Sequence, residues 1–181
     1  MLASAFDDDP MMIWLFGDDG RGRPRRIERF FRIELRRHLA HDGFLISDDH
    51  AAAALFAPPG HCRMPWLERM RIAPAMLRIL GRRAPRARRL EKTLERLHPA
   101  EPHIYLHIVG THPRIQRRGL AAAMIEPIVE RADREGVGMY GEVTRKENVS
   151  YYERFGARLV DEIPIPGGLT LWRVWRNPVG P

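Results

Sequence analysis

The stretch Gln116-Arg117-Arg118-Gly119-Leu120-Ala121 combines residue types and spacing that can do chemistry. It lies between an extended apolar run, residues 104–111, and an amphipathic run that continues to residue 135. A strand that ends in a short Arg/Gly loop and opens into a helix aims backbone N–H groups into one small space. The positive end of the helix dipole reinforces them. Such a place takes a phosphate or pyrophosphate. Gly119 permits close approach, because a Cβ there would stand in the way of the ligand. The motif predicts a phosphorylated cofactor.

The elements that must position this loop can be read along the chain. Residues 11–16 are apolar, and residues 17–24, rich in Gly and Asp, form a break. Ile27, Phe30, Phe31, Glu34, Leu35 and Leu39 recur at helical spacing, so residues 25–40 read as an amphipathic helix. Residues 44–47 and 51–57 read as two short strands joined by the turn Asp48-Asp49-His50. Residues 66–97 are helical in pattern but interrupted at Pro74, Gly81 and Pro85, which predicts at least two helices. After the central strand and the loop, Leu120, Met124, Ile128 and Ala132, flanked by Ala121, Ile125 and Val129, make one apolar stripe. Pro127 should bend that helix and Gly136 end it. A strand over 139–144, a short helix over 149–155, and strands over 158–163 and 169–176 complete the order.

Composition narrows the class. A chain of 181 residues, 44% hydrophobic and 29% charged, reads as a single globular domain over residues 1–181. The single cysteine, Cys62, excludes an internal disulfide framework and fits a reducing cytoplasm. It reads as a buried small hydrophobe rather than a catalytic thiol. No apolar run approaches the roughly 20 residues that span a bilayer. The first ten residues carry Asp7, Asp8 and Asp9 instead of a signal peptide's order, so the protein is expected to be soluble and cytoplasmic. The net charge of +7 is concentrated over residues 63–96, where ten arginines and Lys92 face only Glu68, Glu91 and Glu95. With no nucleic-acid-binding signature beside it, this reads as a solvated basic face, and nucleic acid is not expected as a partner. His38, His41, His50 and His61 show no ligand spacing with Cys62 or the acidic residues, so no metal is expected. The three consecutive aspartates read as helix-start and loop chemistry.

The order of residues resembles a known family. A strand is followed by Pro113-Arg114-Ile115-Gln116-Arg117-Arg118-Gly119-Leu120-Ala121 opening a helix. A second strand follows, then Asn148, then Tyr152-Glu153-Arg154-Phe155-Gly156-Ala157. This resembles the GNAT superfamily of acyl-CoA N-acyltransferases, whose pyrophosphate loop is Q/R-x-x-G-x-G/A. His98-Pro99, residues 101–106, Pro127, the tail 161–178 and Phe6 with Asp8-Asp9-Pro10 resemble the puromycin N-acetyltransferase branch. Two features depart from the pattern: Ala121 replaces the second glycine, and Arg117 stands where glycine is commoner. Relatives also carry a strand and half a helix ahead of the Phe-x-x-Asp-Pro region, so either the start codon is misplaced or the first edge strand is missing here.

The resemblance implies an α/β (α+β) fold, with a mixed central sheet of about six to seven strands, splayed at the cofactor strand and flanked by helices. It implies acetyl-CoA as donor and direct transfer to a primary amine through a ternary complex. Backbone N–H groups of Arg117, Arg118, Gly119, Leu120, Ala121 and Ala122 would cradle the pyrophosphate, with Gln116 opening the loop. Val109, Gly110 and Thr111 would pair with the pantetheine arm along an exposed strand edge. By resemblance Tyr152 protonates the departing sulfur and Asn148 orients the cofactor arm. Glu142 is a candidate general base, or else a carboxylate that binds the cationic acceptor. His107, taken to alternate with Val109, either faces the acceptor cleft or is a hydrogen-bonded core histidine. The acceptor pocket falls to residues 11–40 and 62–97, where Trp14, Phe16, Phe30, Phe31 and Trp66 either line it or pack the core. A small-molecule amine is the expected acceptor. A protein amine, or a non-catalytic acyl-CoA-binding role, is the alternative. A homodimer is compatible with the sequence.

Overall fold

In the computed structural model, which describes residues 1–17 and 22–179, helices pack on both faces of a six-stranded mixed sheet. The middle of the break expected over 17–24, residues 18–21, lies outside the described residues. The helices are α1 (Leu2–Ala5), α2 (Pro10–Phe16), α3 (Arg23–Leu39), α4 (Trp66–Leu80), α5 (Ala84–Leu97), α6 (Leu120–Glu135) and α7 (Val149–Glu153). The strands are β1 (Phe44–Ile46), β2 (Ala52–Ala57), β3 (His103–Thr111), β4 (Gly138–Val143), β5 (Arg158–Ile165) and β6 (Leu169–Arg176). They run in the order β1-β2-β3-β4-β6-β5, with β1 at one edge. Among the described residues only β3 and β4 are parallel neighbours, as expected where a helix, here α6, makes the crossover.

The apolar run over residues 11–16 becomes helix α2 because its start is capped. Asp9 accepts hydrogen bonds from the Met11 and Met12 N–H groups at 2.9 and 3.1 Å, and Pro10 occupies the first turn. In α3, Ile27, Phe31, Glu34 and His38 form the buried face at helical spacing. Pro74 lies inside α4 without ending it; the break falls at Gly81, whose φ is +55°. Pro85 sits in the first turn of α5, where its missing N–H costs nothing. Helix α6 buries Ile125, Ile128 and Ala132 and ends at left-handed Gly136, whose N–H reaches the Ala132 and Asp133 carbonyls.

Two main cores result. Trp14, Phe16, Ile27, Phe31, Leu55, Ile108 and Leu171 pack with α1–α5 on one face, while Ala54, Phe56, Ile104, Leu106, Ile125 and Ile128 pack under α6 on the other. Two irregularities in β3 shape the middle of the sheet. Leu55 pairs with Ile108 but Phe56 with Leu106, so His107 is an extra residue, a β-bulge. The pairing of β3 with β4 covers only His103–Tyr105 against Gly138–Tyr140. Beyond that point the two strands diverge, which is the splay implied by the resemblance, and β3 from Leu106 to Thr111 offers an edge unpaired on that side.

Candidate active site

On the cofactor side, β3 runs through Val109, Gly110 and Thr111 into a turn at Pro113–Ile115 and then the loop. Gln116 Nε2 donates to the Thr111 carbonyl at 3.4 Å, folding the loop back on the strand end. Arg117 (φ +62°) and Gly119 (φ +83°) are both left-handed, a backbone alternation that makes successive N–H groups converge. No side chain caps α6, and the N–H groups of Leu120, Ala121 and Ala122 fall in its first turn, where no helical acceptor exists. A Cβ built at Gly119 meets no protein atom within 4 Å, so the loop borders open space. Among the described residues, neither Arg117 nor Arg118 has an ion-pair partner. The loop thus presents first-turn N–H groups without helical acceptors beside Arg117 and Arg118.

Tyr152 lies on α7 and packs against the same cluster as Val109 and Met124, and against Val143 and Val149. That places it beside the splayed strands. Burial, reinforced by charge repulsion from the ionisable Tyr151 hydroxyl, pushes its hydroxyl up to about 12, so it keeps its proton throughout the physiological range. Asn148 is exposed at the end of the turn Lys146–Asn148, and its side chain does not cap α7. Glu142 lies on β4, beyond the point of divergence. Burial raises its carboxyl above the usual range, against the opposing effects of the Tyr105 and Tyr140 hydroxyls and of Arg173. Its Oε1 is buried without a hydrogen-bond partner, as is the Tyr140 hydroxyl. A buried carboxylate with an unused oxygen suits proton transfer.

A cavity of about 480 Å³ lies between α3, α4, α5 and β3. Its wall is mainly aliphatic, with Leu15, Ile72, Met76 and Leu94, and Tyr105 and His107 reach it from the sheet. Of the five aromatics considered for this pocket, Phe30 lines it. Trp14, Phe16 and Phe31 are core, and Trp66 is 69% exposed, so it belongs to neither. The arginines at the wall are largely neutralised: Arg37 pairs with Glu34 at 2.6 Å, Arg88 with Glu91 at 2.7 Å, and Arg69 with Glu91 and Glu95. Among the described residues Arg63 is the wall cation left without an ion pair.

Sequence reading placed His107 in alternation with Val109. The bulge corrects this: His107 and Ile108 both face α3, and Val109 faces α6. His107 is both hydrogen-bonded and at the cavity. The His38 Nδ1 faces the Glu34 carbonyl at 2.8 Å and so must carry a proton. His38 Nε2 then accepts from His107 Nδ1 at 3.2 Å, leaving His107 Nε2 with a lone pair and no protein partner among the described residues. Burial lowers His38 to about 4 and His107 to about 3, so both rings are neutral. Tyr105 and His38 were missed as site residues. The alternation of His103, Tyr105 and His107 on one strand face was the signal for Tyr105, and the helical spacing of Phe31, Glu34 and His38 the signal for His38.

Comparison with known proteins identifies the family and agrees with the fold. The family model of the acetyltransferase (GNAT) family matches residues 24–157. An uncharacterised N-acetyltransferase of Schizosaccharomyces pombe is 26% identical over 165 residues, covering 86% of this chain and 67% of that protein. A crystal structure of histone acetyltransferase HPA2 and related acetyltransferase from Corynebacterium glutamicum has the same fold, with TM-score 0.74 and 22% identity over 99% of this chain and 88% of the other. So does the polyamine N-acetyltransferase of Drosophila melanogaster, with TM-score 0.64 and 14% identity over 97% of this chain and 90% of the other. With the family model spanning most of the chain, the protein belongs to the GNAT acetyltransferase family and is an N-acetyltransferase.

Proposed function

We propose that this enzyme moves an acetyl group from acetyl-CoA directly to the primary amine of a small, largely apolar molecule. The observation that carries the reading is the aliphatic cavity of about 480 Å³, which reaches the sheet at Tyr105, where β3 and β4 begin to diverge. Loop 116–122 would hold the pyrophosphate, and the free edge at Val109, Gly110 and Thr111 the pantetheine arm. When bound, acetyl-CoA supplies the thioester.

The chain's own groups then handle two protons. The acceptor must attack as a neutral amine, so a base takes one proton as the C–N bond forms. Glu142 is that base, directly or through the Tyr105 hydroxyl, which lies close to both the carboxylate and the cavity. The C–S bond then breaks and the sulfur receives a proton from Tyr152, which holds one at every working pH. The paired charges of the wall favour an apolar acceptor body, and unpaired Arg63 favours an acceptor carrying an oxygen-rich or anionic group. The sequence likeness to the puromycin N-acetyltransferase branch supports a small-molecule acceptor over a protein amine.

The test is coenzyme A-dependent thiol release with a panel of arylalkylamines, polyamines, aminonucleosides and a peptide with a free α-amine. Release with an apolar small amine is expected, slowed about 100-fold in kcat by Tyr152→Phe with little change in KM for acetyl-CoA. Release with the peptide alone would move the assignment to protein amines. Binding of acetyl-CoA without release from any acceptor would leave only a binding role.

A further inference from the structure

At and just behind one wall of the acceptor cavity lie imidazole nitrogens that neither the fold nor the proposed transfer uses. Cys62, in the turn after β2, comes together with His98 at the end of α5 and His103 at the start of β3, their ligand atoms all within 4.8 Å of one another. His103 is only 4% exposed. Its Nδ1 faces the Glu101 carbonyl at 2.7 Å, so Nδ1 carries the proton and Nε2 the lone pair. That Nε2 is buried with no partner, and so are both ring nitrogens of His98. Three buried imidazole nitrogens without hydrogen bonds are costly, and native proteins leave such groups only where something else satisfies them. The Cys62 thiol donates to the backbone carbonyls of Ala57, Pro58 and His103 at 3.4 to 3.8 Å, weak bonds that a metal would replace.

We infer that Cys62, His98 and His103 form a site for a divalent transition-metal ion of the zinc class. The donor set suits it: one soft thiolate and two imidazoles, with the His103 ring held in the metal-binding tautomer by a backbone carbonyl. Zinc–sulfur and zinc–nitrogen bonds of about 2.3 and 2.0 Å at tetrahedral angles need donors about 3.5 Å apart. The donors, all within 4.8 Å of one another, must close by at most about 1.3 Å to reach that spacing. Burial keeps both imidazoles neutral, their ligating form, with His98 lowered to about 4. Binding forms one sulfur–metal bond and releases the thiol proton to solvent. Cys62 and His98 line the cavity, so the fourth coordination position opens toward the acceptor space. Arg63 is the neighbouring charge that opposes a cation, since it faces the thiol and both imidazoles.

A second three-residue cluster, Glu34, His38 and His107, does not support the same inference. Its groups are already bonded to one another and to Arg37. The sequence hid the Cys62 site because its ligands come from a turn, a helix end and a strand start, at no recognised motif spacing.

The chain's single cysteine makes the test clean. Untagged, chelator-treated protein is titrated with Co²⁺ alone, and absorbance is followed for thiolate-to-metal charge transfer. One equivalent should produce the band in the wild type. Cys62→Ser should abolish it, and His98→Gln and His103→Gln should each weaken binding at least tenfold. Arg63→Ala should tighten binding several-fold. Zn²⁺ should raise the Tm of the wild type but not of Cys62→Ser, with circular dichroism showing that each variant is folded. Absence of the band in folded wild type overturns the proposal, as does a band of unchanged affinity in both histidine variants. None of these readouts depends on acetyl transfer.

Discussion

Burial raises the Glu142 carboxyl above the usual range, and the sign of its effect on stability follows. A carboxyl whose folded pKa exceeds its unfolded value favours folding while protonated. That contribution is present below the unfolded pKa and lost as pH rises through the folded one, at about 1.4 kcal/mol for every tenfold change in proton affinity. Above it, the fold carries a buried charge whose Oε1 has no partner. Glu142→Gln should therefore be more stable than wild type in urea denaturation at pH 8, with the gap narrowing as pH is lowered toward 5. If Glu142 is the base, the same variant should lose about 10²- to 10⁴-fold in kcat. The wild-type kcat/KM should also fall on the acid side of a pKa higher than that of an ordinary glutamate. A variant that is stabilised yet fully active would assign Glu142 to acceptor binding or packing instead. A site that yields stability for chemistry must show both effects, so the two measurements together separate those roles.

At the scale of elements, the N-terminal segment connects the two strands that diverge. Leu2, Ala5 and Phe6 pack so closely over Gly110 of β3 that a Cβ there would lie 2.8 Å from two of their side-chain atoms. Asp9 accepts a hydrogen bond from Thr144 just past β4 at 2.5 Å, and Asp8 pairs with Arg145 at 3.0 Å. Helices α1 and α2 therefore brace both sides of the splay. Asp9→Ala should cost about 2 kcal/mol, from the lost cap of α2 and the lost bond to Thr144. It should also raise KM for acetyl-CoA, whereas Asp9→Asn, which can still cap, should retain most of the stability. The cradle offers a parallel case. Gly119→Ala should cost about 1 kcal/mol through the left-handed φ alone, since its Cβ meets no protein atom. It should weaken acetyl-CoA more than it weakens the fold, because that methyl projects where the pyrophosphate is proposed to sit. These elements were unequally legible in the sequence. Helices α3 and α6 declared themselves by long apolar stripes, and the loop by Gly119 within an Arg-rich turn. Residues 11–16 are too few to show a period, so only Asp9 and Pro10 specified a helix there. The bulge at His107 depends on β2 pairing, and the cavity on three helices meeting one strand; neither is a local property of the chain.

For the whole molecule, the histidines around the cavity set the response to acid. Burial, more than any neighbouring charge, lowers His38 and His98 to about 4 and His107 to about 3. In the unfolded chain each titrates near 6.5. A base with a depressed folded pKa adds stability that is fully present above the unfolded value and is lost as pH falls toward the folded one. Each such ring contributes a slope of about 1.4 kcal/mol per pH unit between those limits. Metal-free protein should therefore lose stability steeply from about pH 6.5 to 4. That is well above the range in which ion-paired Asp133 and Asp161, both held below the usual carboxylate range by arginines, begin to matter. The net charge of +7, which grows as histidines protonate, adds self-repulsion in the same direction. His107→Gln should flatten the slope by about one proton's worth while leaving stability at pH 8 nearly unchanged, because an amide can still donate toward His38. Chemical denaturation at half-unit pH intervals would measure this. A wild-type stability that stays level from pH 6.5 to 4.5 would mean that these rings are not held neutral, and the hydrogen-bonded chain from Glu34 through His38 to His107 would have to be redrawn with a charged member.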